Sequence, residues 1–249
     1  MSNSLEISCD MLNNLSVENL DNNVSSPDEA IHLSDDIIVI ERTQSVLELL
    51  SILRDKLYHS FAHKYLRNTD RVSFIFNADR LIRLIIEEGL NQLPEEEVQV
   101  QTPTGEMFRG YKFTKGNCGV SVIRSGEAME RSLRQCCRNF RIGKILIEPA
   151  DEVERNSARI IYAKLPSFME SRRVLLMYPI LNSATVIIEA IKVLQEYQVK
   201  MDNVIILTLT SCPSAIKCVL EYAKGVRIVT SEINSLPFND FAKKYFGTE

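Results

Sequence analysis

Apolar positions divide the chain into a polar N-terminal stretch and a long region with the spacing of strands and helices. Residues 1–34 are rich in Asn, Ser and acidic side chains, a composition that predicts a disordered acidic tail. Residues 36–41 have the pattern of a short strand, and residues 43–56 have apolar positions at helical spacing after a capping Thr43. Residues 57–69 mix polar and aromatic side chains and favour neither structure.

Two clearer patterns precede the main body of the chain. Residues 77–90 carry aliphatic side chains on one side and charged side chains on the other, which predicts an amphipathic helix. Residues 97–102 and 107–113 alternate in polarity around the turn sequence Pro103-Thr-Gly105. This arrangement predicts a β-hairpin.

From Gly119 onward, apolar segments of strand length alternate with helical segments. The predicted strands are 119–124, 144–148, 159–164, 173–178, 203–209 and 226–231, and the predicted helices are 126–140, 184–197 and 213–223. Several strands are continuous apolar runs, as expected when both faces are covered. The alternation predicts an α/β fold with a mostly parallel sheet flanked by helices. Ligands of such sheets bind beyond the carboxyl ends of the strands.

Composition limits the class of protein. The chain has 249 residues, of which 45% are apolar and 25% charged, so residues 35–249 can form one globular domain. No apolar run approaches the roughly 18–20 residues of a membrane span, and the N-terminus lacks a signal-peptide pattern. We therefore expect no membrane contact, and a location in the cytoplasm, with the nucleus as a further compartment.

Charge and potential metal ligands add little beyond this class. Residues 1–41 contain nine acidic residues and no Lys or Arg, which leaves a net charge of +5 on the rest. That excess suits an anionic ligand, but without an aromatic-rich basic run it does not predict nucleic-acid binding. The six cysteines form no Cys-x-x-Cys pair. Of the three histidines, His59 and His63 are four residues apart but have no third ligand nearby, so we expect reduced thiols and no metal site.

Four motifs lie at or near the predicted strand ends: Ile123-Arg-Ser-Gly-Glu-Ala-Met129, Tyr162-Ala-Lys-Leu-Pro166, Val174-Leu-Leu-Met-Tyr-Pro-Ile-Leu181 and Lys244-Tyr-Phe-Gly-Thr248. In order and spacing they resemble the motifs of the uracil phosphoribosyltransferase family, and most closely those of its animal branch. The resemblance covers about residues 36–249. It implies a type I phosphoribosyltransferase-like fold with a small hairpin and a C-terminal hood, assembled as a homo-oligomer. The implied activity is pyrimidine salvage: uracil and 5-phosphoribosyl-1-diphosphate (PRPP), accompanied by Mg²⁺, give UMP and diphosphate.

The resemblance also implies ligand sites, although it identifies no catalytic residue. Arg124 would meet the diphosphate, Gly126 would allow close backbone approach, and Lys164 would lie on a loop over the site. The remaining PRPP-binding residues would be Tyr178, Pro179, Ile180, Leu181, Asn182, Ser183, Ala184, Thr185 and Val186. Uracil would be read by Asn239, Asp240 and Phe241. GTP, as a regulator, would bind Arg71, Arg80, Thr114, Lys115, Gly116, Asn117, Arg141 and Arg172.

The PRPP loop departs from the family pattern. Ala184 and Thr185 replace two glycines, Val186 replaces a hydroxyl, and Tyr178 stands where the wider family has an acid, as in the animal branch. A residue forced into the left-handed conformation costs about 1–2 kcal/mol. We therefore expect a homologue with weak or absent catalysis. Three alternatives stay open: an active enzyme, a non-catalytic ligand-binding or regulatory protein, and a different base specificity. Altered residues in 212–215 and 239–242 suggest the last of these.

Overall fold

The computed structural model describes residues 35–54, 67–149, 158–236 and 241–247. The predicted tail, 1–34, lies outside these ranges. The strands are β1 (Ile37–Val39), β2 (Glu95–Gln101), β3 (Met107–Phe113), β4 (Asn117–Ile123), β5 (Arg141–Pro149), β6 (Ala158–Lys164), β7 (Arg173–Met177), β8 (Ile180–Leu181), β9 (Val204–Leu207), β10 (Thr210–Ser211), β11 (Arg227–Thr230) and β12 (Glu232–Ile233). The helices are α1 (Gln44–Arg54), α2 (Arg67–Asn91), α3 (Glu127–Cys136), α4 (Thr185–Glu196), α5 (Pro213–Tyr222) and α6 (Phe241–Phe246).

The main sheet has seven strands in the order β1-β11-β9-β7-β4-β5-β6. Every neighbouring pair is parallel except β5 and β6, so the predicted mostly parallel α/β sheet is confirmed. The carboxyl ends of the parallel strands form one edge of this sheet, here called the carboxyl edge. Their first residues form the opposite, amino edge.

Continuous apolar strands arise because helices cover both faces of the sheet. In β7, Val174 and Leu176 pack into one buried cluster with α4 and α5. Leu175 and Met177 pack into a second cluster with α1, α2, α3 and α6. Successive side chains of a strand point to opposite faces, so each strand must be apolar at every position.

Three elements differ from the sequence prediction. Helix α2 begins at Arg67 rather than at residue 77, because the buried spacing continues upstream through Phe74. Helix α3 ends at Cys136 rather than at residue 140, since Cys137 is extended at φ −136°, ψ 103°. The predicted strand 203–209 ends at Leu207. Strands β8, β10 and β12 form a separate parallel sheet, and at two residues each they are too short to show a pattern in the sequence.

The predicted hairpin is confirmed and stands apart from the main sheet. Strands β2 and β3 pair from Glu95 opposite Phe113 to Gln101 opposite Met107. None of the helices in the described part of the chain has the length and apolarity that a membrane span requires.

Candidate functional site

The carboxyl edge brings together the segments that follow β4, β7, β9 and β11. The small sheet lies there and joins three of them, because Thr210 of β10 pairs with Ile180 of β8 and with Glu232 of β12. The fourth segment begins at Arg124, directly after β4. Since β4 and β7 are neighbours, the Arg124 turn and the segment that starts at Tyr178 leave the sheet side by side.

Gly126 sets the turn between β4 and α3. Its backbone is right-handed, at φ −63°, ψ −22°, so the glycine is needed for space rather than for conformation. A Cβ at this position would lie 2.5 Å from the carbonyl oxygen of Met177 and 2.7 Å from the backbone N and O of Val122. The glycine therefore seats the first turn of α3 against the ends of β4 and β7, and the close approach to a ligand that the family resemblance implies stays a prediction.

Arg124 is exposed at this turn and meets the C-terminal helix. Its guanidinium carbon lies 5.8 Å from the ring centroid of Phe246 in α6, within cation–π range. The peptide bond between Ile123 and Arg124 is cis. The fold thus joins two of the motifs, Arg-Ser-Gly and Lys-Tyr-Phe-Gly, that are far apart in the chain.

Helix α6 is held by hydrogen bonds from two directions. The Tyr245 hydroxyl donates to Oδ1 of the buried Asp79 at 2.6 Å, and burial together with this bond raises the pKa of Tyr245. Arg71 donates from Nε to the Lys244 carbonyl at 3.3 Å and from Nη2 to the Tyr245 carbonyl at 3.1 Å. Gly247 then ends the helix in the left-handed conformation, at φ 70°.

The start of α4 corrects the strain argument made for the PRPP loop. Ala184 is right-handed, at φ −75°, ψ −21°, and Thr185 is the first residue of α4. Among the described residues, the non-glycine positions with positive φ are Phe168 and Gln198. The expected left-handed penalty at Ala184 and Thr185 is therefore wrong. The segment enters α4 directly, without a left-handed residue at 184 or 185.

Backbone donors are nevertheless available at this helix start. The first intrahelical bond runs from the Ile188 N–H to the Ala184 carbonyl at 2.8 Å, so earlier N–H groups have no partner within the helix. The Ser183 Oγ accepts from the Thr185 N–H at 3.4 Å and lies 3.0 Å from the Thr185 Oγ1. Such a helix start carries partial positive charge and suits an anion.

The other residues of the loop are mainly occupied in packing. Tyr178 and Val186 contact the buried cluster beneath α4 and α5, and burial raises the pKa of the Tyr178 phenol. The Pro179 carbonyl accepts from the Leu209 N–H at 2.8 Å and the Thr208 hydroxyl at 3.1 Å. Ser183 is exposed, and Asn182 is half-buried.

Buried hydroxyls behind the loop were not anticipated from the sequence. Ser231 Oγ donates to the Leu209 carbonyl at 2.6 Å, and Ser211 Oγ donates to Thr230 Oγ1 at 3.1 Å. The Thr210 hydroxyl is buried and has no hydrogen-bond partner within the described part of the chain. Ser and Thr placed directly after apolar strands were the signal for this network.

Comparison with known proteins decides the family. The family model for uracil phosphoribosyltransferase matches residues 40–248. The chain belongs to the uracil phosphoribosyltransferase family. The architecture of the chain, a mostly parallel sheet flanked by helices, is the type I phosphoribosyltransferase fold of that family.

Relatives of this uracil phosphoribosyltransferase family member occur in animals, plants and amoebae. The chain is 47% identical over 211 residues to a uracil phosphoribosyltransferase homolog of Bos taurus, covering 85% of this chain and 65% of that protein. It is 38% identical over 224 residues to a uracil phosphoribosyltransferase of Dictyostelium discoideum, covering 86% and 98%. It is 41% identical over 223 residues to a uridine kinase-like protein of Arabidopsis thaliana, covering 86% and 45%.

The chain therefore spans about 65% of the length of that animal relative. A solved structure of an Aquifex aeolicus protein superposes with a TM-score of 0.68 at 16% identity, covering 86% of this chain and 99% of the other. At that identity the likeness shows the fold alone.

Of the three residues expected to read uracil, the structure describes one. Asn239 and Asp240 lie outside the described residues. Phe241 is 1% exposed, with its ring centroid 5.9 Å from that of Phe74 and 5.5 Å from that of Tyr245. The ring is a core side chain, so only the Phe241 backbone could face a base.

Lys164 does not lie on a loop over the carboxyl edge. It is the last residue of β6 and pairs with Lys144 of β5. Through Lys144 of β5 and Ser121 of β4, Lys164 is level with Met177, the last residue of β7. The structure therefore places Lys164 in a strand rather than on a loop, and its contact with a ligand stays a prediction.

The residues implied for GTP fall into two groups. Asn117 begins β4, Arg141 pairs with Cys118, and the Arg173 N–H donates to the Gly116 carbonyl at 3.3 Å. The turn 114–117, Arg141 and Arg172 therefore share the amino edge. The two arginines of α2 have other partners: Arg71 caps α6, and Arg80 donates to Asn77 Oδ1 at 3.2 Å.

A protein-held metal does not fit the residues at the carboxyl edge. Glu232 is buried there, but its Oε2 accepts from Arg54 Nε at 2.9 Å and from Nη2 at 2.6 Å. The described residues contain no group of three His, Cys, Asp or Glu side chains that could hold an ion. Mg²⁺ bound through substrate phosphates and water would need no such group.

Proposed function

We propose that this chain binds PRPP at the carboxyl edge, takes uracil or a related base, and transfers the phosphoribosyl group weakly or not at all. One observation carries the proposal: two anion-binding features leave neighbouring strands side by side. The Arg124 guanidinium follows β4, and the α4 start follows β7. Since adjacent strands lie about 4.8 Å apart, the two features leave the sheet close enough together to face one ligand.

Each feature would take one end of PRPP. A guanidinium donates several N–H groups in one plane and suits the diphosphate. The first N–H groups of α4, together with Ser183, suit the 5-phosphate. Mg²⁺ would arrive with the diphosphate rather than on a protein site.

Weak catalysis rests on two substitutions in the PRPP loop. The half-buried phenol of Tyr178 carries no negative charge at neutral pH, and burial raises its pKa further above the ordinary value near 10. It cannot provide the charge that an acid would give to an oxocarbenium-like ribose. Val186 packs against the core where a hydroxyl would donate to phosphate. The same two positions favour the alternative, a non-catalytic ligand-binding or regulatory protein on this fold.

GTP regulation and self-association complete the proposal. Lys115, Arg141 and Arg172 put positive charge beside a turn whose Gly116 has φ 103°, which is suitable chemistry for phosphates. The hairpin exposes Val100, Phe108 and other large apolar side chains, which suits a second copy of the chain.

The direct test measures PRPP binding by calorimetry with Mg²⁺ in wild type and Arg124→Ala. We expect binding in wild type and about 10- to 100-fold weaker binding in the variant, because charged hydrogen bonds contribute about 1.5–3 kcal/mol. Arg134→Ala, an exposed arginine on the following helix α3, is the matched control and should bind as wild type. Failure of wild type to bind PRPP would refute the proposal.

A parallel assay follows UMP formation from uracil and PRPP. Binding without UMP supports the non-catalytic alternative. Rapid, magnesium-dependent turnover would contradict the weak-catalysis part while leaving PRPP binding intact.

A further inference from the structure

The contact between Arg124 and Phe246 affects how freely the Arg124 side chain can move before it binds a diphosphate. Arg124 is exposed, and a long exposed arginine side chain loses rotamer freedom when it binds a ligand. Phe246 lies 5.8 Å from its guanidinium carbon. A ring over a guanidinium interacts with its flat face, and the N–H donors in the plane stay available to phosphate oxygens.

Phe246 is itself held in place by its neighbours. Its ring packs edge-on against Tyr245, with centroids 5.1 Å apart and an interplanar angle of 70°. The Tyr245 hydroxyl contacts Asp79 at 2.6 Å and the carbonyl of Ala128 at 3.5 Å. Ala128 belongs to the first turn of α3, directly after the Arg124 turn. Helix α6 is therefore fixed to the same turn that presents Arg124.

From this geometry we infer that Phe246 is a positioning residue, which holds the Arg124 guanidinium at the carboxyl edge in an orientation ready for diphosphate. The inference rests on the proposed PRPP binding at Arg124. It assigns the C-terminal Tyr-Phe pair a role at the diphosphate corner, in addition to any role in reading the base.

The first test uses calorimetry to measure the affinity for PRPP and for inorganic pyrophosphate, both with Mg²⁺. The variants are Phe246→Leu, Phe246→Tyr and Arg124→Ala. Phe246→Leu should weaken both ligands about two- to tenfold, the range expected from ordering one long side chain. Phe246→Tyr should retain wild-type affinity, because it keeps the ring. In the Arg124→Ala background, Phe246→Leu should have no further effect, whereas a purely structural defect would persist there.

Phe76→Leu provides a matched control, since Phe76 is an exposed aromatic residue on α2, 63% exposed. It should bind both ligands as wild type.

The second test uses the absence of tryptophan from the chain. Phe246→Trp places a single fluorophore beside Arg124, and its emission should change on adding PRPP or pyrophosphate. The change should disappear with Arg124→Ala. Tyr222→Trp, on α5, is the control whose emission should not respond.

The outcomes separate the inference from the function on which it rests. If wild type binds PRPP through Arg124 but Phe246→Leu binds equally well, the positioning role is wrong and the proposed function stands. Tighter binding by Phe246→Leu would also overturn it, because Phe246 would then be withholding Arg124 from the ligand. If wild type binds neither ligand, the proposed function and the inference fail together.

Discussion

Tyr245 shows how one side chain can secure the C-terminal helix α6. Its hydroxyl donates to the buried Asp79 carboxylate at 2.6 Å, which links α6 to α2. Asp79 lies in α2, more than a hundred residues earlier in the chain. A buried carboxylate that loses a donor retains its desolvation penalty, so this bond matters more than an exposed one.

Tyr245→Phe should lower the free energy of unfolding by about 1.5–3 kcal/mol at neutral pH. The loss should shrink at high pH. The pKa of Tyr245 is raised in the folded state, so the unfolded chain loses the phenolic proton first, near pH 10. The stabilisation is complete below that pH and declines as pH rises above it.

Urea unfolding of both proteins at several pH values measures this difference. Tyr111→Phe, at an exposed tyrosine, is the control and should leave stability unchanged. A difference for Tyr245→Phe that stays constant up to high pH would contradict the assigned role of the phenol.

At the scale of elements, the start of α4 and the hairpin are the two features with functional consequences. The α4 start is right-handed throughout, so its glycine substitutions carry no dihedral strain. The hairpin is antiparallel, and directly opposite residues share a face. Val100 therefore lies beside Phe108, with Val98 and Gly110 on the same face.

When the family residues of the PRPP loop are restored, only the hydroxyl at position 186 should change the affinity for PRPP. Val186→Ser should tighten PRPP binding about fivefold, from one recovered hydrogen bond of about 1 kcal/mol. Adding Ala184→Gly and Thr185→Gly should tighten it no further, because no left-handed residue needs relief. Thr185→Gly should also lower stability, by up to about 1 kcal/mol.

Calorimetry and urea unfolding distinguish these effects. A large additional gain in affinity from the two glycines would mean that the bound loop adopts a left-handed turn absent from the free protein.

A negative charge introduced on the apolar face of the β2–β3 hairpin should weaken self-association of the chain. Phe108 is 60% exposed beside Val100, which is 50% exposed. We expect wild type to sediment as at least a dimer at micromolar concentration, and Phe108→Glu to shift it towards monomer. Tyr222→Glu, 42% exposed on α5, should leave assembly unchanged. A wild type that sediments as monomer would contradict hairpin-mediated assembly.

For the whole molecule, we predict that the domain begins near residue 35. Strand β1 is the edge strand of the main sheet, and the Ile228 N–H donates to the Asp36 carbonyl at 2.8 Å. The sequence ahead of residue 35 is polar and acidic and has no apolar pattern that would bury it.

Deletion of residues 1–34 should change the free energy of unfolding by less than about 0.5 kcal/mol. Deletion of residues 1–41 also removes β1 and should cost at least about 2 kcal/mol, because its aliphatic side chains and sheet hydrogen bonds are lost. Thermal and urea unfolding of the two truncations provide the comparison. Equal effects would contradict a boundary near residue 35.

By itself, the sequence determined the fold class and the order of the site segments. Continuous apolar strands separated by amphipathic helices require a sheet covered on both faces, and each motif follows a strand in the order of the chain. These are local properties, set by side-chain periodicity and by turn residues such as Gly126.

Only the tertiary structure decided how the site is assembled. Whether Ala184 is strained depends on how β7 leads into α4. The level of Lys164 in the sheet depends on how β6 pairs with β5, and the Arg124–Phe246 contact depends on where α6 packs. Each is a relation between segments distant in sequence. Periodicity reports which face of an element is buried, but it does not report which other element covers that face.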